Sequence, residues 1–205
     1  MLAVEGLTSV RGGRRLFSNL SFAVEPGELL QVAGANGTGK TSLLRILCGL
    51  LSPTEGTVLW RGVAIHRQHE TYCHGLRYIG HLAGIKDEFT VEENLQFAAT
   101  LSGIMVTRAA VHAALALLGL GAFARTPVRM LSQGQRRRVA LARLALPDEA
   151  ALWVLDEPLV ALDAAATDQV LALIGRHLGA GATVVMTSHQ PFTVSAAVQL
   201  ITIVE

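Results

Sequence analysis

The segment "GANGTGKT", Gly34–Thr41, decides the fold of this 205-residue chain. Its spacing fits the pattern G-x-x-x-x-G-K-S/T, in which glycines let successive backbone N–H groups curl around a phosphate. The apolar run "LLQVA" precedes the segment and the helical run "KTSLLRILCGL" follows it. An ordinary glycine-rich turn requires neither the lysine nor this strand–loop–helix context. The pattern therefore predicts a phosphate-binding loop whose following helix adds its positive end.

Each position of the loop has an expected part in holding a nucleotide. Lys40 should reach the β- and γ-phosphates, Thr41 Oγ should bind Mg²⁺, and Ser42 should lie near the α-phosphate. The candidate nucleotide-binding residues of the loop are Gly34, Ala35, Asn36, Gly37, Thr38, Gly39, Lys40, Thr41 and Ser42.

Two later segments offer the other groups that nucleotide hydrolysis needs. "ALWVLDEP" predicts a buried strand that ends in Asp156, placed to hold Mg²⁺, and Glu157, placed to polarise the attacking water. An acidic pair that caps a helix is the alternative. "TSHQ" puts His189 at the carboxyl end of another strand, where parallel sheets bind ligands, and there we expect it to contact the γ-phosphate. A purely structural histidine is the alternative.

The order of apolar runs and turn residues predicts an α/β protein. The chain starts with strands, including "LSFAV" and "GELLQVAG" joined at Pro26–Gly27, and the runs "ALWVLDE" and "ATVVMTSH" suit buried parallel strands. Thr90 and Glu93 fit a capping box at the start of a long helical stretch. We therefore expect one domain over residues 1–205. Its parts are a core at about 1–84 and 146–205 and a helical lobe at about 85–145.

Composition and charge exclude several classes of protein. The 17 Lys and Arg residues are balanced by 16 Asp and Glu residues, so no overall positive field favours nucleic acid. No basic segment followed by an apolar run opens the chain. The longest uncharged apolar run, at 113–124, is shorter than the roughly 18 residues of a membrane span. We expect a soluble intracellular protein in which Cys48 and Cys73 build no disulfide framework.

A second glycine turn, "LSQGQRRRVALARL", lies far downstream at Leu131–Leu144. Three interpretations of it are open: a nucleic-acid patch, a solvated helix face, or part of a nucleotide site whose other part lies on another chain. Arg136, Arg137 and Arg138 are consecutive on a predicted helix and fan around it. We expect some of them to pair with acidic residues and others to meet solvent.

Five segments, "GANGTGKT", "LSQGQ", "LWVLDEP", "ALD" and "TSHQ", resemble in order and spacing the motifs of ABC-type ATPase domains. The resemblance covers essentially the whole chain and implies a P-loop NTPase core with an N-terminal antiparallel β region and an inserted helical lobe. It implies ATP hydrolysis with Mg²⁺ by a head-to-tail homodimer that holds two ATP molecules at its interface. Ser132 and the Gly134 N–H would contact the partner's ATP, and Asp163 would lie at the dimer seam. The whole signature segment is Leu131, Ser132, Gln133, Gly134 and Gln135.

Longer stretches are similar to the ATP-binding subunits of bacterial cytochrome c maturation systems, which are haem exporters. They include "RRLFSNLSF", "GTVLWRG", "YIGHLAGIKDEFTVEENL" and "TSHQP". This resemblance implies a peripheral subunit on the cytoplasmic face of the bacterial inner membrane, bound to integral membrane subunits and driving haem export or release of a haem carrier. A helix of the membrane partner would enter a groove floored by Leu82, Ile85 and Phe89. An ABC transporter for another substrate and a soluble ATPase that acts on nucleic acid are the alternatives.

Two positions depart from the pattern of this family. Most transport ATPases carry glutamine where this chain has His81, which could serve the lytic water or Mg²⁺ through a neutral imidazole nitrogen. A loop histidine that faces solvent is the alternative. Many members place an aromatic residue at Arg11 to stack on adenine. A guanidinium can also stack, with Phe17 as another platform, so we expect weak discrimination between ATP and GTP.

The segment "HRQHETYCH" concentrates metal-binding residue types at His66, His69, Cys73 and His74. Its spacing could suit a metal ion or haem, but it matches no closed zinc pattern. Surface histidines that bind nothing are the alternative, which we favour. Cys48 is expected to pack inside the helix behind the phosphate loop.

Overall fold

The computed structural model describes residues 1–81, 84–147 and 149–203. Strands alternate with helices along the chain, as predicted for an α/β protein. The strands are β1 (Leu2–Arg11), β2 (Arg14–Val24), β3 (Leu29–Ala33), β4 (Glu55–Trp60), β5 (Val63–Ala64), β6 (Leu76–Ile79), β7 (Leu152–Leu155), β8 (Thr183–Thr187) and β9 (Val198–Thr202). The α-helices are α1 (Lys40–Leu47), α2 (His69–His74), α3 (Val91–Leu101), α4 (Arg108–Leu117), α5 (Gln133–Ala142) and α6 (Ala164–Gly179).

The strands form two sheets of different character. One sheet is antiparallel, in the order β2-β1-β4-β5, and the other is parallel, in the order β6-β7-β8-β3-β9. The predicted turn at Pro26–Gly27 is present between β2 and β3, and it takes the chain from the first sheet to the second. The N-terminal antiparallel region of the predicted fold is therefore confirmed.

The parallel sheet lies between two hydrophobic clusters, because alternate residues of its strands point to opposite faces. Leu30 of β3, Val154 of β7 and Val185 of β8 belong to the cluster shared with α1 and the antiparallel sheet. The neighbouring residues Leu29 and Val184 belong to the cluster shared with the helices α3 to α6. Burial on both faces explains why β7 and β8 read as continuous apolar runs in the sequence.

A helical lobe separates β6 from β7, as predicted. Its helices α3, α4 and α5 bury Leu95, Leu115 and Val139, and these side chains join the cluster that also covers one face of the parallel sheet. The predicted capping box is confirmed, since Thr90 Oγ1 accepts from the Glu93 N–H at 3.2 Å and the Glu93 carboxylate accepts from the Thr90 N–H. The lobe boundaries proposed from the sequence remain a prediction.

Two features of the chain differ in detail from the sequence analysis. The helical stretch that begins after Thr90 is divided, because α3 ends at Leu101 and α4 begins at Arg108. Helix α2 lies within the histidine-rich segment that sequence analysis left unassigned, and it is anchored by the buried Tyr72. Among the described residues, none of the helices combines the length and the apolar character required to cross a membrane.

Candidate functional site

The carboxyl ends of the parallel strands gather the predicted site residues at one edge of the sheet. The phosphate loop follows β3, Asp156 follows β7, and Ser188 follows β8. Gly80 and His81 follow β6 at the same edge. Parallel α/β sheets bind their ligands at this edge, because a loop follows the carboxyl end of each strand there. Residues from distant parts of the sequence thus share one site.

The phosphate loop has the backbone that its glycines permit. Gly37 and Gly39 lie at φ 83° and 106°, in the left-handed region that glycine enters without penalty. A Cβ atom on Gly39 would lie 2.9 Å from Leu16 Cβ, so a side chain there would also displace β2. Helix α1 begins directly after Gly39, and no side chain caps its first N–H groups. These donors and the helix dipole suit an anion.

Lys40 is buried and lies folded over the loop. Its Nζ donates to the carbonyl oxygens of Gly34 at 2.8 Å and Ala35 at 2.9 Å. The ammonium is therefore held at the mouth of the loop, while Thr41 and Ser42 occupy the first turn of α1. The predicted nucleotide-binding residues of the loop are thus brought together.

Asp156 joins the loop to the parallel sheet. Thr41 Oγ1 donates to Asp156 Oδ2 at 2.9 Å, and Thr187 Oγ1 donates to Asp156 Oδ1 at 2.8 Å. The carboxylate is buried, with 3% of its residue surface exposed. Hydroxyl and carboxylate oxygens side by side are the donors that Mg²⁺ prefers, so the donor set of Thr41 and Asp156 fits this ion.

Glu157 is held in a left-handed backbone conformation with φ 49°. This conformation costs a residue with a Cβ atom about 1–2 kcal/mol, so neighbouring contacts must stabilise it. The Glu157 N–H donates to Thr187 Oγ1 at 2.7 Å. Its carboxylate Oε1 lies 3.3 Å from Nε2 of the exposed His189. The two predicted catalytic residues are therefore neighbours.

Sequence reasoning missed Thr187, although it lies in the quoted segment "TSHQ". Its one hydroxyl donates to the Asp156 carboxylate and accepts from the Glu157 N–H. The available signal was a hydroxyl residue at the last position of a buried strand, two residues before His189.

The signature segment forms the start of α5. Ser132 is its N-cap: Ser132 Oγ accepts from the Gln135 N–H at 3.2 Å, and Gln135 Oε1 accepts from the Ser132 N–H at 2.8 Å. A Cβ atom on Gly134 would lie 2.7 Å from the Ala161 carbonyl oxygen, so only glycine permits this close packing. Ser132 and Gln133 are exposed, and within the described ranges neither hydrogen-bonds to the phosphate loop.

A cavity of about 600 Å³ separates the signature helix from the end of β7. Its walls include His81, Gln133 and Glu157, together with Val160 and Ala161 of the segment that leads to α6. His81 thus opens onto the same space as the predicted catalytic carboxylate. Asp163, predicted at a dimer seam, is the N-cap of α6 in its own chain, where its carboxylate accepts from the Ala166 N–H at 2.8 Å.

The three consecutive arginines of α5 have three different environments. Arg136 forms an ion pair with Asp87, as the sequence analysis expected for part of the run. Arg138 donates to the Leu118 carbonyl at 3.3 Å. Arg137 contradicts the expectation, because it is buried and binds backbone carbonyls instead of an acidic side chain or solvent. Because α5 packs on the other lobe helices and on the sheet, one of three consecutive residues on it must point inward.

Arg11 and Phe17, the two candidate platforms for the base, lie in unlike settings. Arg11 is the exposed last residue of β1, and its guanidinium donates to the Ser52 carbonyl at 2.6 Å. Phe17 is buried in the cluster under the antiparallel sheet. Leu16 and Phe17 both lie beside the loop, because a Cβ atom built on Gly39 would lie 2.9 Å from Leu16 Cβ and 3.3 Å from Phe17 Cδ1.

The histidine-rich segment has exposed side chains at His66, His69, Cys73 and His74. Cys73 Sγ lies 3.7 Å from His69 Nε2, one helical turn away. In the part of the chain that the structure describes, no three histidine, cysteine or acidic residues gather as metal ligands would. Cys48 is buried at the end of α1, as expected, and burial raises the pKa of its thiol.

Asn94 organises the loop between β6 and α3, and sequence reasoning missed it. Its Oδ1 accepts from the Lys86 N–H at 2.7 Å, and its Nδ2 donates to the Lys86 carbonyl at 3.0 Å. Of the predicted groove residues, Ile85 packs on the lobe cluster and Phe89 stacks edge-on with Phe97 at 5.7 Å. Leu82, the third, lies outside the described residues.

Comparison with known proteins agrees with this geometry. Residues 17–160 match the family model described as ABC transporter. "Cytochrome c biogenesis ATP-binding export protein CcmA" of Nitrosospira multiformis is 49% identical over 199 residues, which are 96% of this chain and 96% of that protein. The protein of the same name from Nitrosomonas europaea is 48% identical over 195 residues, 95% of this chain and 91% of its own length.

Solved structures of ATP-binding cassettes have the same fold. An ABC transporter ATP-binding protein from Pyrococcus furiosus superposes with a TM-score of 0.83 at 26% identity, covering 97% of this chain and 96% of that one. The dimeric post-hydrolysis state of the cassette MJ0796, bound to ADP and Pi, gives a TM-score of 0.80 at 25% identity and covers 93% of this chain and 88% of that one. The family model spans most of the chain, the relatives match nearly its whole length, and the predicted resemblance is confirmed: this chain belongs to the ABC transporter family, as an ATP-binding subunit.

Proposed function

We propose that this chain is the ATP-hydrolysing subunit of a membrane ABC complex in cytochrome c biogenesis. The hydrogen-bonded series Thr41–Asp156–Thr187–Glu157 carries the hydrolytic part of the proposal, because it joins the phosphate loop to a carboxylate that can activate water. The part in cytochrome c biogenesis rests on the names of the similar proteins. In this proposal residues 1–205 act as one ATP-binding domain, with the lobe at about 85–145 inserted in its core.

The residues at the sheet edge divide the work of holding ATP. The loop N–H groups and the start of α1 bind the phosphates, and the Lys40 ammonium, held at the loop by two carbonyls, is the cation at the β- and γ-phosphates. Thr41 and Asp156 would hold Mg²⁺, which supplies positive charge to the β- and γ-phosphate oxygens. Ser42 completes the site beside the α-phosphate.

Glu157 is the general base in this proposal. Its carboxylate accepts a proton from the attacking water. Hydrogen bonds from the Glu157 N–H to Thr187 and from Arg137 to the Glu157 carbonyl fix the backbone, and so the direction of the carboxylate. His189 lies 3.3 Å away and would steady the γ-phosphate beside it. His81 faces the same cavity and would orient the water through a neutral ring nitrogen.

The signature residues require a second copy of the chain. Ser132 and Gln133 are exposed and start a helix whose positive end suits an anion. Two copies packed head to tail would place Leu131, Ser132, Gln133, Gly134 and Gln135 of one chain over the ATP of the other. Dimeric cassettes among the structural relatives support the formation of a dimer. In the proposed packing Asp163 would lie near the seam.

The lobe is the side of the molecule proposed to meet the membrane subunits. Lys86, Phe89 and Phe97 form an aromatic and cationic surface there, with Lys86 Nζ 5.2 Å from the Phe97 ring centre. The relatives' name places them in cytochrome c biogenesis and export. We place this chain at the cytoplasmic face of the inner membrane, where it drives haem export or release of a haem carrier.

Mixing two inactive variants tests the shared site. Glu157→Gln and Ser132→Trp should each lower the rate of ATP hydrolysis at least about 100-fold, because one lacks the base and the other lacks the signature. A 1:1 mixture should recover about one quarter of wild-type activity, since half of the dimers are mixed and each has one complete site. ATP hydrolysis by the mixture, compared with each variant separately, measures this. Absence of any recovery would contradict the head-to-tail pair.

Two substitutions of Thr187 distinguish the effect of its hydroxyl from the effect of its size. Thr187→Val should leave the Asp156 carboxylate and the Glu157 N–H without this partner, which should lower the free energy of unfolding by about 1–3 kcal/mol and kcat about 10- to 100-fold. Thr187→Ser keeps the hydroxyl and should retain most of the wild-type stability and kcat. Thermal unfolding and steady-state hydrolysis measure the two effects. A valine variant with wild-type kcat would show that Glu157 needs no such support.

Substitution of His81 tests its proposed role. If a polar ring nitrogen orients the water, His81→Ala should lower kcat about 10-fold or more, whereas His81→Gln keeps a polar side chain at this position and should retain most of the wild-type kcat. Steady-state hydrolysis at saturating ATP measures both effects. Wild-type kcat in His81→Ala would leave His81 without this role.

Base selectivity tests Arg11. If the site is unselective, GTP at the same concentration as ATP should slow ATP hydrolysis about two-fold when both nucleotides are saturating. Arg11→Tyr should lower the KM for ATP by up to about 10-fold, the upper end expected from an aromatic stacking pair of roughly 0.5–1.5 kcal/mol. Competition assays on both proteins measure this. A wild-type enzyme that ignores GTP would count against Arg11 as the platform.

A further inference from the structure

The guanidinium of Arg137 connects two strand ends of the catalytic edge. Its Nη1 donates to the Gly80 carbonyl at 3.0 Å, and its Nη2 donates to the carbonyls of Asp156 at 2.8 Å and Glu157 at 2.9 Å. Gly80 directly precedes His81. One side chain of the signature helix thus binds the backbone of both segments that carry the proposed water-orienting groups.

These contacts complete the support of the Glu157 backbone. The Glu157 N–H is held by Thr187, and its carbonyl is held by Arg137. Arg137 also binds the Asp156 carbonyl, so it contacts both peptide groups around the left-handed residue. The Glu157 carbonyl accepts from the Val160 N–H as well, at 3.3 Å. Loss of Arg137 would remove the side-chain donor from both peptides and weaken the constraint on the direction of the carboxylate.

Arginine is suited to this position in a way that other side chains are not. Its planar fork can reach carbonyls on two loops at once, whereas a lysine ammonium is a point donor. Burial lowers the pKa of the guanidinium, while the nearby Asp156 and Glu157 carboxylates favour its charged form. Its Nε is buried and has no hydrogen-bond partner among the residues the structure describes, so the carbonyls are its whole polar support.

We infer that Arg137 is a positioning residue for hydrolysis, which aims the Glu157 carboxylate and the His81 loop of its own chain without touching ATP. The inference rests on the proposed function, because it assumes that Glu157 activates water. It assigns the effect to the chain that carries the arginine, although α5 as a whole serves the partner's ATP.

The first test compares two charge-removing substitutions on one helix. Arg137→Gln should lower kcat about 10-fold or more and leave the KM for ATP within about 3-fold, because the phosphate loop is untouched. Arg137→Lys should lie between this variant and wild type. Arg138→Gln is the matched control: its side chain binds the Leu118 carbonyl in the lobe, and kcat should stay near wild type. All three variants are assayed at temperatures below their measured unfolding transitions.

The second test asks which chain of a dimer needs the arginine. In a mixture of Ser132→Trp and Glu157→Gln chains, the complete site takes Glu157 from the first chain and Ser132 from the second. Adding Arg137→Gln to the first chain should lower the recovered activity about 10-fold. Adding it to the second should change activity less than about 3-fold, because the Gln135 capping box still holds Ser132.

The outcomes separate the inference from the function on which it rests. Equal losses of activity whether Arg137→Gln is added to the first or to the second chain of the mixture would overturn the inference. Equal losses of kcat in Arg137→Gln and Arg138→Gln would also overturn it. Either result would mean that Arg137 has only a general structural role. Wild-type kcat in Arg137→Gln would overturn it as well. If the parent mixture recovers nothing, the shared site fails, and the split between kcat and KM in the uniform variants still decides the role of Arg137.

Discussion

The buried carboxylate of Asp156 is the constraint on which the site depends. Each of its oxygens accepts from a threonine hydroxyl, one at the start of α1 and one at the end of β8. A buried carboxylate costs free energy unless it is hydrogen-bonded, so breaking either threonine hydrogen bond is unfavourable. It fixes the phosphate loop against the end of β7, and through Thr187 it also fixes Glu157. The His81 segment depends on a different contact, the hydrogen bond from Arg137 to the Gly80 carbonyl.

Most of the fold and the ends of its strands could be predicted from the sequence, because they depend on local patterns. Each of these patterns lies within a few residues of sequence. They are the loop glycines, the capping box at Thr90 and the apolar runs of β7 and β8. The structure confirmed the α/β core, the antiparallel region and the inserted lobe, and solved ATP-binding cassettes share this fold.

The supporting contacts could not be predicted, because they join residues that are far apart in sequence. Thr187 meets Asp156 across 31 positions, and Arg137 meets Gly80 across 57. Within the arginine run, chemistry does not distinguish the residue that is buried from the two that are not. Which one faces inward depends on the rotation of α5 about its axis, and that is set by packing of the lobe against the sheet.

The alternation of β3 between two clusters restricts how this protein can change over evolutionary time. Leu29 and Leu30 pack on opposite faces of β3. The phosphate loop begins at Gly34, four residues after Leu30. One residue inserted within the strand would invert its apolar faces and carry the loop forward by about 3.3 Å, away from Thr187 and Asp156. Changes in chain length are therefore tolerable in the surface connections and forbidden inside this strand, whatever the chemistry of the residue that is added.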